Sequence, residues 1–116
     1  SIFGICAGMI ILSDDEQYDN VSPLGIMKYN ILKNGWGSQK YSFNDKIKLN
    51  FNNKDYFGTF IRAPKITNLG DNLEILAKYK NEPVMVTDGL HFASSFHPEI
   101  GDDLTVLSYF LNKINE

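Results

Sequence analysis

The spacing of apolar and polar residues changes character several times along the chain. Ile2 and Phe3 read as the last residues of a buried strand, followed at once by Gly4-Ile5-Cys6-Ala7-Gly8. Met9-Ile10-Ile11-Leu12 continues as a short, mostly buried helix that stops at the polar run Ser13-Asp14-Asp15-Glu16. Gln17 to Pro23 has the composition of a loop. Leu24 to Leu32 and Lys46 to Phe51 alternate well enough for strands. Between them lies a segment rich in turn formers, Asn34-Gly35-Trp36-Gly37-Ser38-Gln39. Thr59 to Ala63 forms a strand stopped by Pro64, and Leu73 to Tyr79 and Pro83 to Thr87 add two more. Asp88-Gly89 is a hairpin signal that returns the chain along His91 to Phe96. The finish is helical, with Asp102 or Asp103 as cap and Leu104, Leu107, Leu111 and Ile114 on one face.

This order predicts one α/β domain over residues 1–116, built on a mixed sheet, with no internal repeat or linker. A strand-turn-helix elbow normally sits in the middle of a parallel sheet, yet almost nothing precedes it here, and the chain does not begin with methionine. The first strands of the sheet are therefore expected to lie outside this chain. The composition agrees with a packed domain: 116 residues, 43% hydrophobic and 13% aromatic, enough for a core and too apolar for disorder. A net charge of -3 with scattered basic residues leaves no footprint for nucleic acid. No apolar run reaches the roughly 20 residues that cross a bilayer, so no membrane role is expected. A single cysteine cannot form an internal disulfide, which points to a reducing, cytoplasmic setting.

Two short segments carry chemistry. Gly4-Ile5-Cys6-Ala7-Gly8 has the form of a nucleophile elbow. Cys6 would take a strained conformation between strand and helix, with the flanking glycines clearing space. The helix terminus would favour its thiolate, and the Ala7 N–H would face a developing oxyanion. A packed structural thiol fits the same five residues. The second segment is Ser95-Phe96-His97-Pro98-Glu99, where extended backbone projects residues i and i+2 to one side. His97 is then a candidate base for Cys6, and Glu99 a candidate to orient its ring. A simple turn would also account for that segment. His91 reads as structural, and one cysteine with two histidines lacks zinc-ligand spacing, so no metal is expected. Arg62 is the only arginine among ten lysines, and its planar fork is something lysine cannot copy.

Together these segments resemble the class I (triad) glutamine amidotransferases. Phe60-Ile61-Arg62-Ala63-Pro64, Asn34 to Gln39 with Ser42-Phe43, and Leu24-Gly25 narrow the resemblance to the glutaminase subunits of pyridoxal 5′-phosphate synthase. The likeness runs from Phe3 to about Phe110. It implies a three-layer, flavodoxin-like mixed sheet lacking its N-terminal strands, so that residues 1–116 are the C-terminal portion of a glutaminase domain. It also implies hydrolysis of L-glutamine by a Cys6-His97-Glu99 triad through a γ-glutamyl thioester. Ala7 would supply an oxyanion donor, and Lys33, Ile61 and Arg62 would contact substrate. No cofactor would be used, and the ammonia would pass to a barrel-shaped synthase partner.

The chain departs from that family at Lys33 and Ser38, where arginine is common, and the glycine-rich loop that carries the second oxyanion donor in the family is expected to lie outside residues 1–116. Other readings stay open at this point. One is a non-catalytic remnant that acts as a binding or regulatory partner. Another is an amidotransferase subunit of a different biosynthetic pathway. A third is a cysteine-elbow peptidase or deglycase, although those put histidine directly after the cysteine, where Ala7 stands.

Overall fold

A computed structural model describes residues 1–14, 23–32 and 42–116. Strand β1 (Phe3–Ile5) runs straight into helix α1 (Ala7–Leu12). Strands β2 (Asn30–Leu32), β3 (Ser42–Leu49), β4 (Tyr56–Ile61), β5 (Lys65–Thr67), β6 (Glu74–Tyr79), β7 (Glu82–Thr87) and β8 (Phe92–Ser94) follow, and helix α2 (Thr105–Ile114) closes the chain. Six of the strands form one sheet in the order β1-β8-β7-β6-β3-β4, while β2 and β5 pair as a separate antiparallel ribbon. The β1–β8 pair is parallel and its neighbours are antiparallel, so the sheet is mixed, as expected.

Alternation along β7 and β8 sends side chains to two cores. Met85 and Phe92 join one cluster with Phe60, Phe96 and Val106 of α2. Val86 and Ala93, the next residues along each strand, join the other with Met9 and Leu12 of α1 and with Ile31 and Ile66 of the ribbon. The helices therefore cover opposite faces, giving helix, sheet and helix as three layers.

Several elements differ from the pattern-based expectation. Within 24–32 only Asn30–Leu32 is a strand, and Pro64 separates β4 from a short β5 that the pattern does not announce. The β7–β8 hairpin is present, but its loop runs from Asp88 to His91 because Thr87 pairs with Phe92. Asp88 Oδ1 accepts from the backbone N–H groups of Leu90 and His91, and Gly89 takes φ +95. The tighter hairpin joins β6 to β7, where Tyr79 faces Glu82 and both Lys80 (φ +49) and Asn81 (φ +65) are left-handed.

Helix α2 buries a different face from the one read off its leucines. Val106 is fully buried, Tyr109 stacks on Phe51 at 3.9 Å, and Phe110 meets Phe3 at 5.0 Å and Phe92 at 5.1 Å. Leu104, Leu111 and Ile114 stay exposed. Both stripes are apolar, and the rings win because each aromatic side chain removes more area from water than a leucine. Asp103 holds the entry to the helix, its Oδ1 accepting from the Thr105 N–H at 3.0 Å.

Candidate active site

Cys6 sits where β1 ends and α1 begins. Its φ of 54° and ψ of -102° lie outside the regions L-residues ordinarily occupy, as an elbow requires. Its backbone N–H donates to the Ser94 carbonyl at 2.9 Å, extending the parallel β1–β8 pairing in which Ile5 faces Ser94. The C-terminal ends of two adjacent parallel strands thus lie side by side, one carrying Cys6 and the other leading to His97.

The path from β8 to His97 is fixed residue by residue. The Ser95 N–H donates to the Val84 carbonyl at 2.8 Å, and Ser94 Oγ donates to the Phe96 carbonyl at 2.8 Å. The Phe96 ring is fully buried, edge-on to Phe60 with centroids 6.0 Å apart. The His97 N–H donates to the Thr59 carbonyl of β4 at 2.8 Å. Thr59 Oγ1 in turn donates to Asn44 Oδ1 at 2.7 Å, bracing β4 against β3 at that point. The imidazole Nδ1 of His97 lies 2.8 Å from Glu99 Oε2, the i, i+2 geometry expected from the sequence. His91 is structural: its Nδ1 accepts from the Ile2 N–H at 3.1 Å and ties down the entry to β1.

The end of β4 reaches the same place. Cys6 Sγ donates to the Ile61 carbonyl at 3.4 Å, and the next residue, Arg62, turns left-handed with φ +46. Cys6, Ala7, Ile61, Arg62, His97 and Glu99 are therefore gathered at one end of the sheet. Lys33 and Ser38, with the whole Asn34–Gln39 turn, lie outside the described residues. The roles of Thr59 and of the Ile61 carbonyl carry no sequence signal, because both act through backbone atoms. Among the described residues no group of three or more His, Cys, Asp or Glu side chains could hold a metal ion.

Electrostatics at the thiol differ from the expectation that the elbow alone favours thiolate. Burial pushes the Cys6 thiol above its ordinary value; a hydrogen bond from the Ala7 N–H opposes this, and the Glu99 carboxylate adds to the rise. Desolvation outweighs the single N–H, so the resting group is the thiol. As the chain's only cysteine, it gives a clean readout. Iodoacetamide is expected to alkylate Cys6 more slowly than a free cysteine near neutral pH. The rate should climb as pH passes the ordinary thiol value of 9.0. A rate already on its plateau at neutral pH would contradict this electrostatic account.

The model of the SNO glutamine amidotransferase family matches residues 1–116. Over 96% of its length the chain is similar, at 44% identity, to the pyridoxal 5′-phosphate synthase subunit PdxT of Francisella philomiragia, covering 58% of that protein. Over 99% of its length it is similar, at 36% identity, to the PdxT subunit of Thermosipho africanus, covering 61% of it. A crystal structure of a glutamine amidotransferase superimposes with a TM-score of 0.88 at 36% identity, over 98% of this chain and 60% of that one. The chain thus spans about three fifths of the length of the relatives it matches. By the family model and by its fold, the chain belongs to the SNO glutamine amidotransferase family.

Proposed function

We propose that this chain hydrolyses L-glutamine to L-glutamate and ammonia, with Cys6 as nucleophile, His97 as general base and acid, and Glu99 orienting His97. Residues 1–116 act in this reading as one domain, the C-terminal portion of a glutaminase domain. The observation that carries the reading is the parallel β1–β8 pair, whose adjacent C-terminal ends bear a strained cysteine elbow and a histidine already paired with a carboxylate.

The chemistry follows from those parts. His97 Nε2 takes the Sγ proton as the sulfur attacks the side-chain carboxamide of glutamine. The negative charge that develops on the carboxamide oxygen is met by the Ala7 N–H, which already points at this sulfur. The C–N bond then breaks, and His97 returns the proton to the departing ammonia. Water, deprotonated by the same ring, cleaves the γ-glutamyl thioester and restores the thiol. Because burial disfavours a free thiolate, proton transfer to His97 has to accompany attack, which gives the His97–Glu99 pair its task. No metal or organic cofactor takes part in this cycle.

Arg62 would bind the α-carboxylate of the substrate through its planar fork, with Ile61 lining the pocket and Lys33 adding a further contact. The relatives named as subunits of pyridoxal 5′-phosphate synthase support delivery of the ammonia to a barrel-shaped synthase subunit. Nucleic acid and membrane have no part in the reading; among the described residues no helix is long and apolar enough to cross a bilayer. The cytoplasm, which keeps a lone catalytic thiol reduced, is the proposed compartment.

Glu99→Gln tests the triad. The Glu99 side chain is 48% exposed, so the substitution leaves packing intact. It removes the charge that stabilises the imidazolium and should lower kcat for glutamine about 10²-fold or more, with KM little changed. An unaltered kcat would remove Glu99 from the mechanism.

A further inference from the structure

Strand β3 lies between β4 and β6 and pairs with each over a different stretch. Ser42 to Ile47 pair with β4, whereas Lys48 and Leu49 pair with Lys78 and Ala77 of β6. The far end of β3, the loop that follows it and the Lys78–Asn81 end of β6 line a groove of about 590 Å³. Half of the chain's ten lysines line it, namely Lys46, Lys48, Lys54, Lys78 and Lys80, against the single carboxylate of Asp55. This concentration of positive charge stands on a chain whose net charge is -3.

The arrangement works against the sheet that carries it. Lys48 and Lys78 are directly opposed in an antiparallel pair, so their side chains leave the same face with Cβ atoms about 5 Å apart, and such like-charge pairs weaken a sheet. Lys46 leaves that face two residues earlier on β3, about 7 Å away. Asp55 lies 3.5 Å from Lys46, but both side chains are more than half exposed, so the carboxylate offsets little of the positive potential. An anion resting over Lys46, Lys48 and Lys78 would turn mutual repulsion into shared attraction.

We infer that this groove binds the phosphoryl group of a small molecule. Lysine ammoniums are compact point charges that suit a phosphoryl group's several oxygens. No arginine or aromatic ring lines the groove, so stacking on nucleic-acid bases is not its mode. Its volume is that of a small-molecule pocket. The groove is also separate from the candidate active site. Ser42 pairs with Ile61, whose carbonyl meets Cys6, and Lys46 and Lys48 lie four and six residues farther along β3, about 13 and 20 Å away. The inference therefore stands or falls independently of glutamine hydrolysis.

The test is titration of the intact chain with pyrophosphate at low ionic strength, followed by backbone amide chemical shifts. Saturable one-site shifts are expected on β3, β6 and the 50–55 loop, weakened about tenfold or more in K48Q/K78Q and reduced by added salt. The double variant should melt no lower than the parent, because it removes a repulsive pair; K46Q provides a second, milder loss of binding. Equal binding of citrate would reduce the groove to a charge effect, and tighter binding of a glutamate hexapeptide would make it an acidic-peptide site. Either result overturns the inference, as do shifts that survive in K48Q/K78Q or an absence of saturable binding.

Discussion

Replacing Cys6 by alanine is expected to reduce ammonia release from L-glutamine by about 10⁴-fold or more, to the background of the uncatalysed reaction. The measurement is made with the proposed synthase subunit present; the chain spans about three fifths of the length of its relatives. No other side chain among the described residues at this end of the sheet can form the thioester, so the loss has no bypass. Binding to the partner should persist, since the substitution removes one half-exposed sulfur and leaves the strand pairing of β1 untouched. Retained turnover would reject Cys6 as nucleophile.

Cys6→Gly separates a working thiol from a packed one. Cys6 holds φ 54°, a conformation that costs a non-glycine residue about 1–3 kcal/mol and that glycine adopts freely. A glycine there should therefore match or raise the melting temperature while turnover is lost. A thiol kept for packing would show the opposite, a lower melting temperature and unchanged turnover.

The local geometry of the candidate site is more legible in the sequence than the contacts that assemble it. The cysteine elbow and the His97-x-Glu99 spacing are local, and local backbone geometry alone carries both side chains where the pattern put them. What brings the two segments together is not local. The Cys6 N–H bond to Ser94 and the His97 N–H bond to Thr59 are main-chain contacts between distant segments, and no residue type advertises them. The same limit hid the Ile61 carbonyl that accepts from the thiol. For α2 the pattern held too much information, since two apolar stripes compete and only the partners Phe3, Phe51 and Phe92 decide which is buried. Lys80-Asn81 was missed because lysine is a poor marker of a left-handed turn, whereas Asp88-Gly89 announced its hairpin through residues made for one.

The two glycines of the elbow make the sharpest stability contrast in the molecule. The sequence pattern treats them alike, as residues that clear space around the nucleophile, and the structure does not. A Cβ on Gly4 would lie 2.6 Å from the Gly8 carbonyl oxygen, 2.8 Å from its carbon and 2.6 Å from Leu12 Cδ1. Two of those three atoms are backbone, so helix α1 would have to move away from β1, and the elbow between them would open. A Cβ on Gly8 would meet nothing within 4 Å. Gly4→Ala should therefore destabilise the chain by about 3 kcal/mol, the upper range for overpacking, and lower its melting temperature by about 10 °C or more. Gly8→Ala, inside α1 at an unstrained position, should instead add about 0.5–1 kcal/mol by restricting the unfolded chain. Thermal unfolding of the two variants side by side reads out the difference. If Gly4→Ala melts with the parent, the close approach of helix to strand, and with it the strained placement of Cys6, is wrong. If Gly8→Ala melts lower, the helix is packed on a side that the structure leaves open.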